Sequence, residues 1–68
     1  MVRYFVNEVA QPNGDHEVHQ FGCYYLELAR RKRDIGEHDT CVTAVATAKR
    51  YFPKANGCSY CSRPCHAG

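Results

Sequence analysis

The apolar positions of the first twenty residues gather in two short runs. Residues 2–9, Val-Arg-Tyr-Phe-Val-Asn-Glu-Val, are rich in β-branched and aromatic side chains, which suit a strand. Pro12-Asn13-Gly14-Asp15 follows, and Asn-Gly is a strong hairpin signal because both residues tolerate positive φ. His16-Glu17-Val18-His19-Gln20-Phe21 then reads as the returning strand. A two-residue Asn13-Gly14 turn pairs Val9 with Val18 and Val6 with Phe21. It collects Val2, Tyr4, Val6, Phe21 and Cys23 on one face. A bulged turn starting at Pro12 shifts the register by one and exchanges the faces. The first register builds the better apolar face and is the expectation.

Residues 24–33 carry two patterns at once. Leu, Glu, Ala, Arg and Lys are good helix formers, yet Tyr24, Leu26 and Leu28 alternate as in a strand. Both conformations stay open for the connector, residues 22–38, with Asp34-Ile35-Gly36 as a break. The next segment predicts a helix over 39–52. Asp39 or Thr40 can cap it, Cys41, Val45, Ala48 and Phe52 recur at helical spacing, and Pro53 stops it. A helix of about 12 residues is marginal alone, so its stripe is expected to pack across the hairpin. Beyond it, residues 54–68 offer little aliphatic surface and many cysteines. The predicted fold class is α+β in one domain spanning 1–68: an N-terminal β-hairpin (2–21) packed against one main α-helix, with an irregular Cys-rich C-terminal tail.

Composition sharpens the problem. Six Val, three Phe, two Leu and one Ile make 12 strong core formers among 68 residues, below the roughly 20 % typical of folded chains. A net charge of +2 excludes the self-repelling regime of disordered chains. Below about 70–80 residues an apolar core rarely supplies more than ~3–5 kcal/mol, so a disulfide, a metal or a partner must add to it. No apolar run approaches the ~20 residues of a membrane span. The N-terminal apolar stretch meets Glu8 too soon for a secretory leader, so a cytoplasmic protein is expected. In that reducing setting clustered cysteines favour metal or redox roles over structural disulfides.

Five cysteines cannot all pair internally. Cys58, Cys61, Cys65 and His66 form C-x2-C-x3-C-H. Two residues between thiolates let both enter one tetrahedral shell, and three thiolates with an imidazole suit zinc. Structural zinc contributes on the order of 10–16 kcal/mol, which would dominate a core this small. Zinc motifs usually separate their ligand pairs by about 12–20 residues, and adjacent Cys65-His66 makes awkward geometry. Cys23, Cys41 or a hairpin histidine could therefore replace His66. The competing expectation is redox or disulfide chemistry, with Cys58–Cys61 as a thiol pair and Cys23–Cys41 as a bridge between hairpin and helix. Thioredoxin-like chemistry lacks its βαβ frame, and haem attachment would need C-x2-C-H.

His16-Glu17-Val18-His19 is one residue short of the zinc-protease H-E-x-x-H. On a strand His16 and His19 point to opposite faces, so solvated strand histidines are expected there, and a surface residue at His38. Arg30, Arg31, Lys32 and Arg33 form the one basic run. Such runs neutralise phosphates and tyrosines can stack bases, but Glu27, Asp34, Glu37 and Asp39 dilute the field. A sequence pI near 8.3 adds no pull toward nucleic acid. No phosphate loop, nucleophile elbow or paired-carboxylate site is identifiable, and the chain is short for enclosing a substrate pocket of ~300–1,000 Å³.

Asn13-Gly14-Asp15-His16-Glu17-Val18-His19, Cys23, the Cys41-x3-Val45-x2-Ala48 helix and Asn56-Gly57-Cys58-x-Tyr60-Cys61-x3-Cys65-His66 together resemble a group of small uncharacterised bacterial proteins. The resemblance runs from about Tyr4 to His66 and implies a bacterial, non-secreted small domain. In that group the leucine after the first cysteine precedes a proline, whereas Leu26 here precedes Glu27. It implies no activity. The sequence thus points to a non-enzymatic domain with a structural zinc site at Cys58, Cys61, Cys65 and His66, serving a protein partner. A thiol-redox or disulfide-stabilised protein is the first alternative. A nucleic-acid module using Arg30–Arg33 is the second.

Overall fold

The computed structural model describes residues 1–67. In chain order they form β1 (Val2–Asn7), β2 (His16–Gln20), α1 (Tyr24–Glu27), β3 (Lys32–His38), α2 (Cys41–Ala48), β4 (Ala55–Gly57) and a 3-10 turn at Arg63–Cys65. The class is α+β. The hairpin is half of a four-stranded sheet of order β3-β1-β2-β4, in which only β2 and β4 run parallel. The main helix expected over 39–52 is shorter, Cys41–Ala48. Thr40 caps α2 by accepting from the Val42 amide, and after Ala48 the chain tightens. The Arg50 and Tyr51 amides reach carbonyls only three residues back before Pro53 ends the run.

The hairpin register differs from the expected one. Val6 lies opposite Val18, Phe5 opposite His19 and Tyr4 opposite Gln20, a slip of three residues that exchanges the two faces of β2. The cause lies in the side chains of the 8–15 loop. Asn7 Oδ1 accepts from the Val9 amide and Asn13 Oδ1 from the Asp15 amide, so each asparagine makes a local turn of its own. The Gln11 amide meets the Asp15 carbonyl, closing a wider loop than a two-residue hairpin. Val18 takes the core position proposed for Phe21, and Phe21 is 72 % exposed.

Strand alternation gives the sheet two occupied faces. Tyr4, Val6, Val18, Ile35 and Ala55 pack with Cys41, Ala44 and Ala48 of α2 on one of them. Alanines at 44 and 48 let the helix come close to the strands. On the opposite face Phe5 and His19 meet Cys23, Leu26, Cys58 and Cys61. The connector contains a helical turn followed by a strand, so each of its two patterns holds for a part of it. β3 forms a charged edge, with Lys32, Arg33, Asp34 and Glu37 exposed, which discourages pairing with other chains. A bulge opposite Tyr4 puts Gly36 at φ +87°, a conformation that costs other residues roughly 1–2 kcal/mol.

The tail is more ordered than expected. β4 pairs with β2 through the His16 amide to the Lys54 carbonyl and the Cys58 amide to the Val18 carbonyl. Residues 63–67 then fold back over it. A disulfide joins Cys41 to Cys65, His66 Nδ1 lies 3.0 Å from the Gly57 carbonyl oxygen, and Asn56 exchanges two hydrogen bonds with Ala67. A Cβ on Gly57 would lie 2.8 Å from Cys65 atoms; only glycine admits this approach.

Candidate metal centre

Four ligand atoms from two distant chain segments converge on the face away from α2. They belong to His19, Cys23, Cys58 and Cys61, and all lie within 4.8 Å of one another. β2 supplies His19 at its penultimate position. The chain then turns through Gly22, at φ +90°, and the Cys23 amide bonds back to the Gln20 carbonyl. This returns Cys23 beneath His19, with Cys23 Sγ 3.6 Å from His19 Nδ1. A tetrahedral zinc shell with bonds near 2.3 Å to sulfur and 2.0 Å to nitrogen has an S···N edge of about 3.5 Å. The observed edge agrees with it.

The second pair comes from the end of β4. Because the Cys58 amide donates to the Val18 carbonyl, parallel pairing sets Cys58 beside His19. Cys58-Ser59-Tyr60-Cys61 then closes a turn: the Tyr60 amide points at Cys58 Sγ, 3.3 Å away, and the Ser62 amide bonds the Cys58 carbonyl. The Gln20 amide points at Cys61 Sγ from 3.4 Å. Amide hydrogens aimed at a sulfur are the outer partners that a metal-bound thiolate uses. His19, Cys58 and Cys23 are 1 %, 2 % and 5 % exposed, so the centre is closed to solvent on most sides.

Electrostatics match the ligand role of His19. Burial, and after it the Lys32 charge, pulls its pKa down to about 4, leaving a neutral imidazole at pH 7 with a lone pair to donate. Burial pushes the Cys61 thiol up to about 12, against the opposing Gln20 amide and Ser62 hydroxyl. A bound cation would reverse that balance by binding the thiolate directly. These residues could hold a metal ion.

The structure distributes the expected ligands differently. Cys58 and Cys61 are in the cluster. Cys65 is in the disulfide with Cys41, and His66 bonds the Gly57 carbonyl. Cys23, an alternative ligand, is in the cluster; Cys41 is not, and the anticipated Cys23–Cys41 bridge is replaced by Cys41–Cys65. His16 and His19 do occupy opposite faces, but neither is a free solvated side chain. His16 stacks on Phe52 at 4.2 Å between ring centroids, and His19 is buried. His38 is half-buried at the end of β3, where its two ring nitrogens meet Thr43 Oγ1 and the Ile35 carbonyl. His19 was visible in the sequence only through strand alternation, which groups Glu17 with His19 and His16 with Val18.

The basic run is divided. Arg30 and Arg31 precede β3 while Lys32 and Arg33 begin it. Arg31 and Arg33 both approach Glu8, at 3.7 and 3.1 Å, and the Arg33 guanidinium lies 4.6 Å above the Tyr51 ring. Among the described residues no helix is long and apolar enough to cross a membrane. Comparison of the chain with protein-family models, curated proteins and solved structures finds no match.

Proposed function

We propose that His19, Cys23, Cys58 and Cys61 hold a structural zinc ion, and that the protein is a small non-enzymatic domain that presents a surface to a protein partner. The convergence of three thiols and one imidazole within 4.8 Å carries this reading. Three sulfurs and one nitrogen match the preference of zinc, and four protein ligands leave no open position for a substrate. A zinc ion there would fasten the α1 turn and the 58–61 turn to the sheet, where apolar packing amounts to little more than Leu26 and Phe5. Around it Phe21, Tyr24, Tyr25, Leu28 and Tyr60 are exposed, an apolar fringe that suits a protein contact. The bacterial, cytoplasmic setting implied by the sequence belongs to this proposal; since Cys41 and Cys65 are oxidised in the same chain, it is metal ligation, and not the compartment, that protects the three ligand thiols.

The disulfide-stabilised alternative draws on Cys41–Cys65, which lies against α2 and leaves the metal cluster intact. The two readings therefore separate by residue. Freshly purified protein is expected to carry about one zinc per chain. Cys23→Ser and Cys58→Ser should lose it, while the double variant Cys41→Ser/Cys65→Ser keeps it. Zinc lost from the Cys41/Cys65 variant and kept by Cys23→Ser would overturn the assignment.

A further inference from the structure

Among the described residues, Glu17 is the one acidic side chain in an ion-pair contact with a ligand of the cluster. It shares a sheet face with His19 because two residues along a strand restore the same side. Its Oε1 lies 3.6 Å from His19 Nε2, and its side chain is only 18 % exposed. The other salt bridges of the described residues join Arg3 to Asp34 and Glu37, and Arg31 and Arg33 to Glu8. None of them neutralises Glu17. The carboxylate and the cluster flank the imidazole from its two ends: Nε2 faces Glu17, and Nδ1 faces Cys23 Sγ at 3.6 Å.

A neutral imidazole has one N–H and one lone pair, and whichever nitrogen keeps the proton cannot bind a metal. With the proton on Nδ1, the Nε2 lone pair would confront a carboxylate, two acceptors facing each other. With the proton on Nε2, Glu17 accepts it and the Nδ1 lone pair points at the thiols. We infer that Glu17 is a positioning residue that selects the Nε2–H tautomer of His19, so that His19 binds the metal through Nδ1. This rests on the metal reading above. Such a carboxylate also holds the ring in place and makes the ligating nitrogen a better donor. The 3.6 Å separation is longer than a charge-assisted hydrogen bond, and metal loading should shorten it to about 2.8 Å.

The test uses the full chain loaded with 113Cd²⁺ for NMR and Zn²⁺ for affinity. Wild type should show cadmium coupling to His19 Nδ1 and a slowly exchanging proton on Nε2. Zinc affinity, measured by competition with a chromophoric chelator, should fall about tenfold in Glu17→Gln and by 10- to 100-fold in Glu17→Ala. The zinc-loaded variants should keep the wild-type circular dichroism. In Glu17→Ala the Nε2 proton should exchange with water faster, a change that a purely structural role for Glu17 would not produce. Coordination through Nε2, or variant affinities within twofold of wild type, would overturn the role of Glu17 while leaving the metal centre standing. A wild-type chain that takes up neither ion would overturn both.

Discussion

Removing the Cys41–Cys65 disulfide probes how this small domain would divide its stability between that bond and the proposed metal centre. The bonded cysteines are 24 residues apart. Closing a loop of that size restricts the unfolded chain by about 3.5 kcal/mol at 25 °C in the chain-entropy model. Cys41 is also a buried member of the α2 cluster, so trimming it to alanine adds about 1 kcal/mol of lost packing. Together these match the ~3–5 kcal/mol that a core in a chain of this length supplies. The double variant Cys41→Ala/Cys65→Ala should therefore be largely unfolded without metal and folded with zinc, whose contribution is on the order of 10 kcal/mol. Urea titrations followed by circular dichroism, with and without a chelator, measure this directly. At a slope of about 1 kcal/mol/M, the metal-free midpoint should drop by roughly 3 M or more. A metal-free midpoint unchanged from wild type would refute the reasoning, as would five titratable thiols in the native protein.

Three further outcomes follow from local geometry. Gly57→Ala should cost about 1–3 kcal/mol, because its Cβ would press on Cys65; a denaturation midpoint equal to wild type would contradict the tail's placement over β4. Gly36→Ala should cost roughly 1–2 kcal/mol in the same assay, since φ +87° is needed at the bulge, and an unchanged midpoint would argue for a regular β3. The Asp34 carboxyl should titrate below the usual aspartate range, because the Gly36 amide donates to it, with Arg3 adding a smaller pull in the same direction. Its folded pKa is depressed, so its contribution to stability is complete above the ordinary value near 3.8. That contribution fades as pH falls through the folded pKa, and NMR titration of the carboxyl carbon would show a normal value if Arg3 and Gly36 did not contact it.

Several elements were legible in the sequence because their signals are local. Thr40 and the Cys41-x3-Val45-x2-Ala48 stripe mark α2, and Cys58-x2-Cys61 brings two thiols together within one turn. The remaining features depend on contacts between distant segments. His19 becomes a neighbour of Cys58 only through parallel pairing of β2 with β4, and no spacing rule expresses that. Contiguity made Cys65 and His66 look like ligands, yet the 3-10 turn carries Cys65 toward α2. β3 was obscured because its charged edge face and its bulge at Gly36 interrupt the alternation by which a strand is recognised. The hairpin register departs from the expected one because Asn7 and Asn13 turn the chain with their side chains, widening a loop for which the Asn-Gly pair predicts a tight turn.

Differential alkylation read by mass spectrometry tests the central claim most directly. The zinc-loaded native protein is labelled first, then treated with a chelator and relabelled, and finally reduced and labelled a third time. The His19, Cys23, Cys58 and Cys61 centre predicts that Cys23, Cys58 and Cys61 gain label together at the chelator step. Cys41 and Cys65 should gain it only after reduction. Label appearing on Cys65 with chelation, or on Cys23 before it, would contradict the centre described here.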